Sequence, residues 1–151
     1  MFTADCVPIL LCEPKSGLIA AVHAGWKGSV KGIVANAIET MVDEGADRCG
    51  IEAVVGASIC QRCFEVGDEV VAEFAKRAFS LNDIVWRNPV TGKAHIDLAE
   101  ANRWLMESAG VPNANISLSG LCTKCEPQRF FSARTLGSNS GRILSAIIRR
   151  Q

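Results

Sequence analysis

Val7-Pro8-Ile9-Leu10-Leu11-Cys12 and Leu18-Ile19-Ala20-Ala21-Val22-His23 are two short apolar runs on either side of a Pro14-Lys15-Ser16-Gly17 turn. Apolar runs of this length, bounded by turn residues, read as buried strands, and so short a connection makes them a hairpin. Ala24-Gly25-Trp26-Lys27-Gly28 then breaks the strand pattern. Beyond it Val30, Ile33, Val34, Ala37, Ile38, Met41 and Val42 recur at the spacing of one helix face, with Gly45 placed as the stop.

The rest of the chain adds elements around that hairpin. A strand is expected over 51–57, a helix over 67–79, and a second hairpin over 86–96 that turns at Asn88-Pro89-Val90-Thr91-Gly92. Asp97-Leu98-Ala99-Glu100 has the form of a capping box and opens a helix that runs to Ala109 and stops at Gly110. Further strand candidates are 115–119, 130–134 and 142–148, the last equally readable as a helix. Several connections are too short for helical crossovers. The expectation is therefore an α/β fold, more strictly mixed α+β, with mixed sheets and helices packed outside them.

Length and composition bound what such a fold does. The 151 residues make one domain, 1–151, with no internal repeat or linker. Sixteen basic and sixteen acidic side chains cancel, with no run of like charge, so nothing steers the chain toward nucleic acid or an anionic membrane. No apolar stretch reaches the roughly 18–20 residues of a membrane helix. The first residues lack the basic start and apolar core of a signal peptide. Seven cysteines in a non-secreted, cytoplasmic chain read as thiols or metal ligands rather than disulfides. The abrupt start, almost inside the first strand, reads as a fragment or a short member of something longer.

Cys6 and His23 are the first candidates for chemistry, because both lie at or near the ends of strands expected to pair. Thiolate and imidazole are good zinc or copper ligands. The same pair also suits a nucleophile and its base, or a buried thiol with a hydrogen-bonded core histidine. In Gly25-Trp26-Lys27-Gly28-Ser29, two glycines and a cation precede a helix, which favours an anion such as phosphate; on spacing alone a tight turn that needs glycine is favoured. Cys60/Cys63 and Cys122/Cys125 form two Cys-x-x-Cys pairs. Four thiols suit a tetrahedral zinc, but 58 residues lie between the pairs, which favours ordinary loop thiols. His95 reads as a polar residue of a hairpin strand. Arg129-Phe130-Phe131-Ser132-Ala133-Arg134 suits either stacking on a base beside a cation or a strand with one phenylalanine in the core.

Taken together, Thr3-Ala4-Asp5-Cys6-Val7-Pro8, Ala21-Val22-His23-Ala24-Gly25-Trp26-Lys27-Gly28, Cys63-Phe64-Glu65-Val66-Gly67 and Cys122-Thr123, followed by Phe130-Phe131-Ser132 and Gly141-Arg142, resemble the YfiH family. That family is also called the laccase-domain or multicopper polyphenol oxidase family, and its members are named peptidoglycan editing factor or purine nucleoside phosphorylase. The resemblance spans essentially the whole chain. It implies an α/β fold with mixed sheets, similar to bacterial toxins that carry a cysteine–histidine hydrolase site. It implies that Cys6 and His23 are two of three ligands to zinc, or in the older view to copper. The third would be a histidine in a segment that precedes this chain, so that Met1 reads as the start of a shortened form. The implied activity is zinc-dependent phosphorolysis of adenosine, inosine, guanosine and methylthioadenosine, with adenosine deamination beside it.

On that basis phosphate is expected at Gly25, Trp26, Lys27 and Gly28, with Arg134 balancing charge and Asp5 orienting a ligand. Partners are then a nucleoside and phosphate, with self-association open. Copper-dependent phenol oxidation, a Cys6–His23 hydrolase acting on a peptidoglycan precursor, and an inactive structural remnant are the rivals. The chain departs from the family pattern at Ile59-Cys60-Gln61-Arg62, where Ile-Gly-Pro-Cys is usual. It departs again at Ala133 and Thr135, where larger or basic residues stand.

Overall fold

The computed structural model describes residues 1–77 and 79–150. The hairpin forms as the sequence dictates: β2 (Val7–Glu13) pairs antiparallel with β3 (Leu18–Ala24), Pro8 opposite His23 and Val7 opposite Ala24. A two-residue strand, β1 (Phe2–Thr3), precedes it. At the hairpin turn Gly17 adopts φ 69°, and its N–H donates to the Glu13 carbonyl at 2.8 Å. Side chains alternate along β2. Val7, Ile9 and Leu11 are fully buried and anchor the apolar core; each contributes about 1.5–3 kcal/mol by leaving water.

The expected helix over 30–42 is two helices, a short α1 (Trp26–Val30) and the longer α2 (Ile33–Asp43). Gly32 sits between them at φ 73°, a left-handed conformation that ends one helix and redirects the next. The apolar stripe still works: Val30, Val34, Ile38 and Met41 all face the core. β4 (Glu52–Val55) adds antiparallel to the other side of β2. β2 is thus central although it carries a proline. Pro8 is tolerated because β4 ends beside it: its carbonyl accepts from Gly56 N–H at 2.9 Å, and a Cβ on Gly56 would lie 3.0 Å from Pro8 Cγ.

A second sheet follows, of β5 (Glu65–Val66), β6 (Val85–Arg87) and β7 (Ala94–Ile96), in the order β5-β7-β6. Its β6–β7 hairpin turns where expected, with Asn88 Oδ1 accepting from Val90 N–H at 2.9 Å. The helix expected over 67–79 is α3 (Asp68–Ala75), with a short α4 (Leu81–Ile84) after it; position 78 of the expected span lies outside the described residues. α5 (Leu98–Ser108) is capped as predicted, Asp97 Oδ1 accepting from Glu100 N–H at 2.9 Å. On its buried face Asn102 donates to Ser29 Oγ at 2.8 Å and so ties α5 to α1.

β8 (Ile116–Leu118) lies parallel to β4 and completes a mixed four-stranded sheet in the order β3-β2-β4-β8. Two expectations fail beyond it. The 130–134 segment is not a strand. Phe130 N–H donates to Glu126 O, and Ser132 caps α6 (Ala133–Leu136), so these backbone groups are satisfied by turns rather than by a ladder. Of 142–148, only β9 (Ile143–Leu144) is a strand, because its partner β1 offers two residues. Among the described residues no helix is long and apolar enough to cross a membrane.

Candidate metal and substrate sites

Cys6 ends the segment that leads into β2, and His23 stands one pair inside the open end of the hairpin. Both residues of the predicted pair therefore lie at one end of the sheet. Cys6 is half-buried and His23 exposed. Gly25 lies against the thiol: a Cβ there would come 3.0 Å from Cys6 Sγ. Burial, and then the Asp5 carboxylate, push the Cys6 thiol above its ordinary range. Both causes act against a free thiolate, and a bound cation reverses them.

Asp5 fastens this end of the molecule. It is the non-glycine residue at positive φ, 79°, among the described residues; Asp tolerates that region better than most residues. Its Oδ1 accepts from Thr123 Oγ1 at 2.6 Å, and its Oδ2 from Ser132 Oγ at 3.1 Å and Arg134 N–H at 2.6 Å. Its carbonyl accepts from Ile59 N–H at 3.0 Å. Three other stretches of chain, at Ile59, Thr123 and Ser132–Arg134, converge on one aspartate. Arg134 reaches back to donate to Glu65 O at 2.9 Å, and its guanidinium stacks 5.2 Å from the Phe64 ring. Ala4, Asp5, Ile59, Phe64, Ala133 and Arg134 line a pocket of about 330 Å3.

The Gly25–Gly28 segment takes a different form from a loop. Gly25 caps α1, and Trp26, Lys27 and Gly28 are helical. Gly28 packs where a Cβ would touch Ile33 Cγ2 at 3.3 Å, so both glycines have a packing reason. Lys27 sits over the Trp26 ring at 5.5 Å. With Lys31 and Arg77 it lines a pocket of about 290 Å3, separate from the one that Arg134 lines. His95 is buried on β7 opposite Glu65 and Trp86, its Nδ1 3.2 Å from Gln61 O.

The four cysteines that spacing favoured as loop thiols are gathered into one cluster. β4 and β8 run parallel side by side, so their outgoing loops leave the same end of the sheet. Ser58 and Cys122 bridge them: Ser58 N–H donates to Leu121 O at 3.2 Å and Thr123 N–H to Ser58 O at 3.1 Å. The Sγ atoms of Cys60, Cys63, Cys122 and Cys125 all lie within 4.8 Å of one another. Cys63 and Cys125 are 3.4 Å apart, and Cys60 N–H donates to Cys122 Sγ at 3.3 Å. Burial opposes ionisation of Cys122, but hydrogen bonds from Cys60 and Cys125 bring its thiol down to about 7. Burial pushes Cys60 and Cys63 up, helped by the hydrogen bond of Cys60 with Cys122 and by those of Cys63 with Cys125 and Cys60. The signal that could have found this cluster is the paired Cys-x-x-Cys itself; Thr123 and Ser132, the partners of Asp5, stand in motifs that carry the family resemblance, but their residue types alone assign them no role.

Four soft donors, gathered where two loops leave one end of the sheet, give this mixed α/β protein a cluster whose chemistry suits a metal ion. The chain belongs to the family described as multi-copper polyphenol oxidoreductase laccase, whose model matches residues 1–150. Its relatives are named as enzymes. It is 56% identical over 148 residues to adenosine deaminase RL5 from an unknown prokaryotic organism, which covers 98% of this chain and 56% of the relative. It is 47% identical over 147 residues to a purine nucleoside phosphorylase of Bacteroides thetaiotaomicron, covering 97% of this chain and 54% of that one. The fold matches the crystal structure of the Bacillus licheniformis hypothetical protein YfiH with a TM-score of 0.87 at 36% identity, over 93% of this chain and 53% of that one. The chain thus spans about half the length of these relatives.

Proposed function

We propose that this chain takes part in zinc-dependent phosphorolysis of purine nucleosides, with adenosine deamination as a companion activity. The names of its relatives support the reading. The observation that carries it is the place of Cys6, one residue before the Val7–Ala24 pair, and of His23, one residue inside it, at the same end of the hairpin, with Gly25 left bare against the thiol. One sulfur and one imidazole nitrogen are ordinary zinc donors, so the residues present fit the ion. A catalytic zinc takes three protein ligands and a water, so the third ligand in this reading comes from another segment or subunit. Bound there, zinc supplies a Lewis acid and an acidified water.

The chain's own residues do the rest. Asp5 holds the Cys6 segment against the loop of Ser132 and Arg134. Arg134, already committed to Glu65 O through one nitrogen, offers positive charge to the pocket beside Asp5. Lys27 offers a second cation at α1 for phosphate. A reducing, cytoplasmic setting goes with this reading, since the site needs a free thiol. Copper-dependent phenol oxidation is the second reading; it rests on the family's description. The hydrolase reading is the weaker one, because burial and Asp5 disfavour a Cys6 thiolate without a cation.

The test incubates zinc-loaded protein with inosine and inorganic phosphate and follows free hypoxanthine by chromatography. Release should require phosphate. It should fall in Cys6→Ser and in His23→Ala by more than the roughly 10–100-fold that loss of a ligand's orienting partner costs. Protein that holds zinc yet frees no base from any purine nucleoside sinks the reading. Oxygen uptake on a phenol with copper added, lost in Cys6→Ser, would install the second one.

A further inference from the structure

We infer that Cys60, Cys63, Cys122 and Cys125 form a structural zinc site that staples the loop after β4 to the loop after β8. This is a site separate from Cys6 and His23, and it does not rest on the nucleoside reading. A tetrahedral zinc with sulfurs at about 2.3 Å sets those sulfurs roughly 3.8 Å from one another. Here Cys63 and Cys125 are 3.4 Å apart and no pair of the four exceeds 4.8 Å, values on either side of that spacing. The scaffold is in place without the ion. Parallel pairing of β4 and β8 aligns the two loops, the Ser58–Cys122 bridge fixes their register, and a tight turn, Gln61–Cys63, brings Cys63 back beside Cys60.

The surroundings also suit four thiolates. Cys60 N–H already donates to Cys122 Sγ, the kind of bond that spreads charge on a ligand sulfur. Two positive charges on zinc leave two negative charges on a four-thiolate centre, and each chelating loop carries one cation between its cysteines, Arg62 and Lys124. Binding releases the thiol protons to solvent, with no change of oxidation state.

The staple has a consequence for the pocket. Thr123, between two ligands, donates to Asp5; Gln61, between the other two, meets His95 on the second sheet. Zinc at the cluster therefore helps to hold the Asp5 pocket together through Thr123.

The experiment uses the whole chain, expressed with zinc and dialysed against a mild chelator. Metal is counted by mass spectrometry in wild type, in Cys60→Ser/Cys125→Ser and in Cys6→Ser/His23→Ala. Wild type and the hairpin variant should each retain about one tightly held zinc per chain, and the cluster variant should retain none. Cobalt in place of zinc should give the visible spectrum of a tetrahedral tetrathiolate in the first two proteins only. Should the cluster variant fail to fold, wild type alone decides: titration with an organomercurial should release the zinc as four thiols are consumed. Zinc that follows Cys6 and His23 instead overturns the proposal. So does wild-type protein without tight zinc, whether its four thiols react freely or its mass is two hydrogens short, as a Cys63–Cys125 disulfide would make it.

Discussion

Two places in this molecule gather soft donors, and they are built in opposite ways. At the open end of the β2–β3 hairpin, a half-buried Cys6 just before β2 and an exposed His23 within β3 stand beside one antiparallel pairing between neighbours in sequence. At the ends of β4 and β8, four thiols are brought together by a parallel pairing between segments far apart in the chain. The first site offers two donors, and so leaves coordination positions for a water or a substrate. The second offers a closed set of four, which leaves none. An open site suits chemistry and a closed one suits structure. Asp5 is the joint between them, next to Cys6 in the chain and hydrogen-bonded to Thr123 of the cluster loop.

The largest effect expected from breaking that comparison is at the joint. Asp5→Ala removes the acceptor for three hydrogen bonds and places alanine at φ 79°, where Asp is better tolerated. A loss of about 3–5 kcal/mol in urea unfolding is expected. Asp5→Asn, which keeps one acceptor and the tolerance of positive φ, should lose less. Zinc at the four cysteines should survive Asp5→Asn, because the Ser58–Leu121–Thr123 backbone bonds hold those loops on their own. If zinc leaves with that substitution, the two sites are one unit and the contrast between them fails.

A smaller, more local effect isolates the open site. Gly25→Ala puts a methyl 3.0 Å from Cys6 Sγ, and the thiol must move. Overpacking of this kind costs about 1–3 kcal/mol. It should suppress hypoxanthine release while leaving metal at the cluster unchanged. Activity equal to wild type would mean that the Cys6 position is not critical to the chemistry.

How much of this was legible in the sequence follows the same division. The hairpin, the capped α5 and the Asn88 turn are local patterns: each signal and the structure it produces lie in one short continuous stretch, the longest being Val7–Ala24. Cys6 and His23 share that locality, since both stand at the open end of the same hairpin. The four-thiol cluster does not. Its two halves were plain as Cys-x-x-Cys pairs, but their meeting depends on β4 lying beside β8, which no local period encodes. The 130–134 segment fails for a related reason. Its alternation suits a strand, yet Asp5 and Ser132 draw the chain into a turn, and those partners are over a hundred residues apart. Gly32 divides the helix at a position where the apolar stripe runs straight through, so the periodicity concealed the break.

The smallest effect lies at the far end of the same hairpin, and it separates the stability of the scaffold from the occupancy of its sites. Glu13 is buried at the end of β2. Hydrogen bonding from the Ser16 side chain, and then the N–H groups of Lys15 at 2.9 Å and Ser16 at 2.7 Å, hold its carboxyl below the ordinary glutamate range. A carboxyl held low in the folded state adds stability above its unfolded pKa, and that stability is lost as pH falls through the folded value. Glu13→Gln gives up this contribution at every pH. Wild type should therefore be the more stable protein at neutral pH, and its advantage should shrink on acidification below the glutamate range. Thermal unfolding of both proteins across that range, run without added metal, measures the difference directly. A gap that stays constant down to the most acidic condition would remove Glu13 as the clamp of the hairpin turn. It would leave the open end, with Cys6 and His23, to be held in place by Asp5 and the core alone.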